Sequence, residues 1–281
     1  MKIKLLVLLL CFSVCNFVSA QNKELKSATS TIQTGNGLSK TQLEKIETEI
    51  ATWMAKHKAP ALSVAVVAGG QMRWSKGYGL ADVENSVPAK ADTVYRLASI
   101  AKSITATAVM QLVEQGKIDL DAPVQKYCAA FPEKQYPITA RQLLTHTTGI
   151  RHNKLDEIFT ARHFNSIGDA LTTFKDDPLL HEPEMKYSYS TPGYTLLGCA
   201  IEGASGASYL DYVRENIFKP SGMTRTQVDD VFSIIPHRAR GYRKTSTGDA
   251  ENAPLHDTSI KIPGGGLVST AEDLALSLIH I

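Results

Sequence analysis

One eight-residue stretch sets the interpretation of this chain: Arg96-Leu97-Ala98-Ser99-Ile100-Ala101-Lys102-Ser103. Ser99 and Lys102 are three positions apart at the start of an apolar, helix-forming run over residues 99–115. Residues at this spacing share one helix face, so the amine of Lys102 can reach the hydroxyl of Ser99. A lysine that burial keeps neutral can accept the serine proton and create a nucleophile. The spacing by itself also fits an ordinary helix N-terminus.

A second polar segment, rich in tyrosine, precedes another predicted helix. It reads Tyr187-Ser188-Tyr189-Ser190-Thr191-Pro192-Gly193-Tyr194. A tyrosine that faces a lysine can pass a proton to a leaving group, because positive charge stabilises its phenolate. An aromatic-rich packing loop is the alternative interpretation of this segment.

The flanking sequence predicts a mixed fold. An amphipathic helix is expected from Thr41, followed by strands over residues 61–67 and 71–78 that Gly69-Gly70 joins as a hairpin. The sparse polar face of residues 99–115 predicts a central, buried helix. Further helices are expected around residues 140–144, 193–202 and 209–217. The predicted strands come early in the sequence and most of the predicted helices follow them. This order favours an α+β fold in which a helical region is inserted into a sheet domain.

Composition narrows the class of protein and its location. The chain has 281 residues and a net charge of +2, which gives no reason to expect a nucleic-acid partner. Residues 1–20 have a basic start, an apolar stretch and a small-residue end, which predicts a signal peptide and a periplasmic or secreted protein without a stable membrane anchor after cleavage. We expect a polar linker at 21–40 and a folded domain at 41–281. Cys128 and Cys199 could pair or remain buried thiols.

Several ordered stretches together resemble the serine β-lactamase and penicillin-binding family, on the side of class C β-lactamases and D-alanyl-D-alanine carboxypeptidases. Besides residues 96–103, they are GKIDLD at 116–121, LLTHTTGI at 143–150, GYGLAD at 77–82 and GGGLVSTAEDL at 264–274. FPEK at 131–134 and GIRH at 149–152 are similar to the mitochondrial serine β-lactamase-like branch. The resemblance implies a β-lactamase/transpeptidase-like α+β fold, with an antiparallel sheet flanked by helices.

The resemblance also implies roles for individual residues. Ser99 matches the acylated serine, Lys102 its partner, and Tyr189 the tyrosine that serves as general base or proton relay. Thr191 occupies a substrate-binding position where many members have Asn, which makes efficient penicillin hydrolysis less expected. His146 is interpreted as a hydrogen-bonded turn residue rather than a catalytic one.

These roles predict a serine hydrolase that cleaves amide or ester bonds through an acyl-enzyme on Ser99. The expected substrates are small molecules or peptides: D-amino-acid peptides, small esters and β-lactams, in that order. The alternative is a non-catalytic protein that binds acyl ligands or self-assembles with the same fold. No cofactor and no metal ion are expected, because the histidines lack ligand spacing. The sequence does not define the oligomeric state.

The sequence departs from the family pattern after Gly266, where the third motif, Lys- or His-x-Gly, does not occur. That motif lies on a strand that donates one N–H of the oxyanion hole, and the loss of one such donor typically costs ~10²–10³ in rate. We therefore expect the chain to be a C-terminal truncation that lacks sheet strands, folds poorly and turns over slowly.

Overall fold

The computed structural model describes residues 37–279. The predicted signal peptide at 1–20 and most of the predicted linker at 21–40 lie outside these residues. Ser39 caps the first helix, because its side chain accepts the Gln42 backbone N–H while the Gln42 side chain accepts the Ser39 N–H. The helix thus begins at Lys40, one residue before the predicted start.

After the first helix, four strands are followed by a run of helices, and the remaining strands lie near the end of the described residues. The helices are α1 (Lys40–His57), α2 (Ala101–Glu114), α3 (Ala140–Leu144), α4 (Leu155–Ile158), α5 (Ile167–Leu171), α6 (Thr191–Ser205), α7 (Tyr209–Val213), α8 (Ile262–Gly265) and α9 (Ala271–Ile279). The strands are β1 (Ala61–Ala68), β2 (Gln71–Asp82), β3 (Val87–Pro88), β4 (Tyr95–Arg96), β5 (Gln227–Val228), β6 (Tyr242–Lys244), β7 (Ala250–Asn252) and β8 (Leu267–Ser269). Short 3₁₀ turns occur at Ala98–Ile100, Val124–Lys126 and Ser259–Lys261, and a π-helical turn at Arg214–Phe218.

The first sheet confirms the predicted hairpin. Strands β1 and β2 pair antiparallel, with Ala68 opposite Gln71 and Gly69-Gly70 between them at φ 59° and 69°. Glycine reaches this left-handed region at little cost, so the pair closes the turn. Strand β3 adds to β2, which gives the order β1-β2-β3, and α9 packs against β1 and β2.

A second sheet, of order β4-β8-β5, brings distant parts of the chain together. In it, Tyr95 lies opposite Ser269 and Arg96 opposite Val268. The Leu97 N–H donates to the Leu267 carbonyl at 2.9 Å and extends this pairing toward Ser99. The sheet therefore holds the segment that begins at Ala98 next to the glycine-rich turn that precedes β8.

The core is built around α2 and α6. Ala101, Ala108, Val109 and Leu112 of α2 are fully buried, which confirms the prediction of a central helix. Helix α6 packs against α2 and carries the buried residues Leu196, Leu197, Ala200 and Ile201. The expected helix over 99–115 differs at its start, because Ser99 lies in the 3₁₀ turn and the α-helix begins at Ala101.

A disulfide joins Cys128 to Cys199 of α6, with a Cα–Cα distance of 5.5 Å. The sequence had left this pairing open. Since α6 begins at Thr191, the bond ties the helix behind the tyrosine-rich segment to the loop after α2. The described elements confirm the α+β class. None of the helices within residues 37–279 has the length and apolar character needed to cross a membrane.

Candidate active site

Ser99 lies at an exposed turn between β4 and α2, where a substrate can reach it. The preceding residue, Ala98, has φ 46°, in the left-handed region that residues with a Cβ rarely adopt. Such backbone strain persists only where the surrounding structure imposes it, and it concentrates at functional sites. Here the β4–β8 pairing on one side and the buried helix α2 on the other impose it.

Lys102, one turn further along, is only 7% exposed. Its Nζ lies 3.3 Å from Ser99 Oγ, 3.2 Å from Thr191 Oγ1 and 2.6 Å from the Gly264 carbonyl oxygen. The described residues within hydrogen-bond or ion-pair distance of this amine include no carboxylate. Burial lowers the pKa of Lys102, and interaction with Tyr189 opposes that shift. The lysine is thus placed to accept a proton.

Tyr189 approaches Ser99 from the segment before α6. Its hydroxyl donates to Ser99 Oγ at 2.7 Å, and Lys102 Nζ lies 4.9 Å from the centre of its ring. Burial opposes ionisation of this phenol, but hydrogen bonds from Lys102 and Ser99 and the lysine charge lower the pKa of Tyr189 overall. Tyr187, two positions earlier in the same segment, is 66% exposed and lies outside this contact.

Thr191, predicted to bind substrate, is buried and 5% exposed. Its hydroxyl contacts the Lys102 amine at 3.2 Å. The structure therefore brings all four predicted residues together, with Thr191 placed against the lysine on the inner side of Ser99.

The glycine-rich turn before β8 completes the surroundings of Lys102. A Cβ on Gly264 would lie 2.6 Å from Thr191 Cγ2, closer than carbon atoms approach without displacement. Glycine is thus required for the close contact that lets the Gly264 carbonyl reach Lys102. The resemblance to the family pointed to this run in the sequence, but the contact between Gly264 and Lys102 was not predicted.

Two histidines support the segment that carries Tyr189. His146 Nδ1 accepts the Ser190 backbone N–H at 3.2 Å, and His152 Nδ1 accepts the Thr191 N–H at 3.2 Å. His146 thus lies in a turn and is hydrogen-bonded, as predicted, and its lack of a catalytic role stays a prediction. The role of His152 was missed, since the only sequence signal was its place in the GIRH stretch.

No group of three or more His, Cys, Asp or Glu residues in the part of the chain covered by the structure is arranged to hold a metal ion. The positive charge near the site comes from side chains. Lys261 is half-buried near Arg96 and Lys102, and this partial burial together with their charges lowers its pKa. The candidate site is therefore a serine hydroxyl flanked by an amine, a phenol and further cationic groups.

Known proteins share sequence and fold with this chain. The human serine beta-lactamase-like protein LACTB, mitochondrial, is 34% identical over an alignment 285 positions long, which covers 77% of this chain and 52% of that protein. A penicillin-binding protein homologue from Pyrococcus abyssi, described as octameric, has a TM-score of 0.72 at 31% identity, covering 84% of this chain and 55% of its own. The D-amino acid amidase from Ochrobactrum anthropi SV3, complexed with D-phenylalanine, has a TM-score of 0.71 at 26% identity, covering 83% and 70%.

The chain spans about half the length of the curated relatives it matches. The family profile described as Beta-lactamase matches residues 46–278, from within α1 to the last turn of α9. Because that match covers most of the chain and the folds correspond, the resemblance found in the sequence is confirmed and the chain belongs to the Beta-lactamase family.

Proposed function

We propose that this protein is a serine hydrolase that cleaves amide or ester bonds through an acyl-enzyme on Ser99. One observation carries the proposal: Ser99 Oγ contacts both the buried amine of Lys102, at 3.3 Å, and the hydroxyl of Tyr189, at 2.7 Å. A base and an acid within hydrogen-bond reach are what an acyl transfer needs.

The partners of Lys102 limit the direction of its hydrogen bond to Ser99. A neutral amine has two N–H donors and one lone pair. The Gly264 carbonyl can only accept and takes one N–H, whereas the Thr191 hydroxyl can accept the other N–H or donate to the lone pair. When Thr191 accepts, the lone pair is left for the O–H of Ser99, whose oxygen already accepts from Tyr189. With Lys102 neutral and Thr191 accepting, the serine proton is already directed at its base.

The chemical steps follow from these contacts. Ser99 Oγ attacks the carbonyl carbon of the substrate while its proton moves to Lys102 Nζ. Tyr189 donates its proton to the departing nitrogen or oxygen, and the phenolate that results lies beside the ammonium of Lys102. Transfer of the proton from Lys102 to Tyr189 restores both groups. Water then hydrolyses the ester on Ser99 and releases the acid.

The substrate class is proposed from the site and from the relatives. D-amino-acid amides and peptides come first, because a D-amino acid amidase shares the fold over most of both chains. Small activated esters come second. β-Lactams come last, since Thr191 contacts Lys102 instead of offering a side-chain amide to the substrate. We also propose that the protein is exported, which the Cys128–Cys199 disulfide supports, as such bonds persist in oxidising compartments.

The test is a burst experiment with p-nitrophenyl acetate. The wild-type protein should release about one equivalent of p-nitrophenolate per molecule, and Ser99→Ala should release none. Ser103→Ala is the matched control, because Ser103 is a nearby exposed serine whose hydroxyl only donates to the Ile100 carbonyl. A burst that survives in Ser99→Ala would place the nucleophile elsewhere. A burst without later turnover of any D-amino-acid amide, ester or β-lactam would favour the non-catalytic, acyl-binding alternative.

A further inference from the structure

The segment that carries Tyr189 is held by side-chain contacts on both sides of the phenol: Ser188 Oγ lies 2.9 Å from His181 Nε2, and the Ser190 hydroxyl donates to the Arg151 carbonyl at 2.8 Å. Its backbone also donates to two imidazoles. The N–H of Ser190 donates to His146 Nδ1, and the N–H of Thr191 donates to His152 Nδ1, each at 3.2 Å. Two consecutive backbone N–H groups directly after Tyr189 thus end on two histidines from another part of the chain.

The same two rings also pack against the phenol. The His146 and Tyr189 ring centres are 4.4 Å apart, and the His152 ring meets Tyr189 edge-on at 5.4 Å. His146 has φ 59°, and its carbonyl accepts the Ser188 N–H at 2.8 Å. The histidines therefore contact this segment before, at and after Tyr189.

We propose that His146 and His152, here the histidine pair, are positioning residues that hold Tyr189 against Ser99 by accepting the Ser190 and Thr191 N–H groups. The proposal rests on the proposed acylation of Ser99, where Tyr189 acts as the acid. It assigns a function to two side chains that do not themselves touch the reacting hydroxyl.

The contacts impose one protonation state. An Nδ1 atom that accepts an N–H must carry no proton, so both rings are neutral with hydrogen on Nε2. When Nδ1 is protonated, its N–H faces the backbone N–H of Ser190 or Thr191. Two donors cannot form a hydrogen bond with each other, so the backbone contact is lost. Acid therefore inactivates the site by protonation of these histidines, in addition to protonation of Lys102.

The surroundings of both rings favour the neutral state. His146 faces Lys102, His152 and the rings of Tyr187 and Tyr194, and burial followed by the charges of Lys102 and His152 lowers its pKa. For His152, burial and the charges of Lys102, Lys261 and Arg151 lower the pKa, while Glu157 opposes them. Both imidazoles thus stay neutral at neutral pH, where Tyr189 is needed in place.

The proposal is tested by pairs of substitutions at each histidine. The amide oxygen of Asn can occupy the place of Nδ1 and accept the N–H without titrating, whereas Gln places its amide near Nε2. We therefore expect His146→Asn and His152→Asn to acylate Ser99 from a D-amino-acid amide roughly tenfold faster than the Gln variants at the same position, because an amide nitrogen departs only when protonated and the acid group contributes ~10²–10⁴ when in place. Equal rates for Asn and Gln would contradict the proposal.

The pH profile separates positioning from a merely structural role. In the wild type, the logarithm of the rate of acylation by the amide should fall with a slope steeper than one at acid pH, since Lys102 and the histidine pair must all be neutral. In the double Asn variant the slope should return to one. His57→Asn, at the end of α1, is the control and should keep the wild-type profile. Identical slopes in the wild type and the double variant would overturn the proposal.

A measurement on unreacted protein keeps the two proposals distinguishable. Proton–nitrogen correlation spectra of ring-labelled histidines report which ring nitrogen carries hydrogen. We expect both rings in the Nε2–H form at neutral pH, whether or not Ser99 reacts. Hydrogen on Nδ1 would refute the histidine pair, while a missing burst with both rings in the Nε2–H form would refute only the acylation.

Discussion

The carbonyl oxygen of Gly264 accepts a 2.6 Å hydrogen bond from Lys102 Nζ, although 162 positions separate the two residues. The contact exists because β8, which follows the glycine turn, pairs with β4, which precedes Ser99. It takes up one N–H of the amine, which limits how the rest of the Lys102 amine can face Thr191 and Ser99. The small second sheet thus sets the orientation of the proposed base.

Replacing Lys102 by Met removes that base with little change in volume. We expect the rate of Ser99 acetylation to fall by ~10²–10⁴. In the wild type the rate should rise with pH as Lys102 loses its proton, with a midpoint below the ordinary lysine pKa of ~10.4, because burial lowers this pKa. Stopped-flow bursts measure both, with the exposed Lys117→Met as control. Fast acetylation in Lys102→Met, or a midpoint at the ordinary value, would contradict the assignment.

Gly264→Ala should disturb the site through sterics alone. The new Cβ would lie 2.6 Å from Thr191 Cγ2, so the turn or α6 must shift. We expect acetylation to slow by about 10²-fold, as for a displacement of about 1 Å near a reacting group. Thermal unfolding should show that the free energy of unfolding falls by about 1–3 kcal/mol.

Gly168→Ala is the control for that substitution. Gly168 is exposed on α5, and its Cβ would meet only Ser166 Oγ, at 3.7 Å. Alanine there should raise the free energy of unfolding by about 0.5–1 kcal/mol and leave acetylation unchanged. Equal effects of the two substitutions would show that the close approach at Gly264 does not matter.

The Cys128–Cys199 disulfide closes a loop over a sequence separation of 71 residues. Loop closure of this length stabilises by about 4 kcal/mol in the chain-entropy account. The double variant Cys128→Ala, Cys199→Ala should therefore lose about 2–5 kcal/mol in urea unfolding. Adding a reductant should lower the free energy of unfolding of the wild type to nearly that of the variant, and it should not change the stability of the variant. A variant as stable as the oxidised wild type would rule out this contribution.

Arg151 forms a bidentate salt bridge with Glu157, with Nη2–Oε1 and Nη1–Oε2 distances of 2.7 and 2.8 Å. The two side chains are 12% and 14% exposed. Burial raises the pKa of Glu157, but bonds from Arg151 and the Lys154 N–H outweigh it and lower the pKa overall. Because the pKa of Glu157 is lower in the folded than in the unfolded protein, its ionised carboxylate stabilises the fold at pH values above the unfolded pKa of ~4.3. This stabilisation is lost as the pH falls through the folded-state pKa.

Glu157→Gln should therefore lower the free energy of unfolding by about 3 kcal/mol at neutral pH. The difference from the wild type should shrink as the pH falls below ~4.3. Urea unfolding at several pH values measures this, and the exposed neighbour variant Asp156→Asn should show neither effect. A difference that does not change with pH would contradict the charge-based explanation.

The elements that could be predicted from the sequence are those with local signals. The hairpin at Gly69-Gly70 has turn residues between apolar strands, and α2 has helical spacing over its whole length. Strands β4, β5 and β8 are only two or three residues long and have no alternation to detect. Their pairing depends on contacts far apart in sequence.

The candidate site shows the same division. Ser99, Lys102 and Tyr189 were found from spacing and from ordered motifs. The Gly264 contact was not, because a backbone carbonyl leaves no side-chain signature. The pairing of Cys128 with Cys199 depends on a Cα–Cα distance of 5.5 Å, which sequence spacing does not define. His152 was missed because its ring acts on a backbone N–H 39 positions away.

The most direct test of the account locates the acyl group after an acid quench. Trypsin cleaves after Arg96 and Lys102 and releases residues 97–102, in which Ser99 is the only side-chain hydroxyl. After reaction with p-nitrophenyl acetate, mass spectrometry should find this peptide heavier by one acetyl group. Acetylation of Lys102 would instead block cleavage there and extend the peptide. An acetyl group on any residue other than Ser99, or on none, would contradict the central claim.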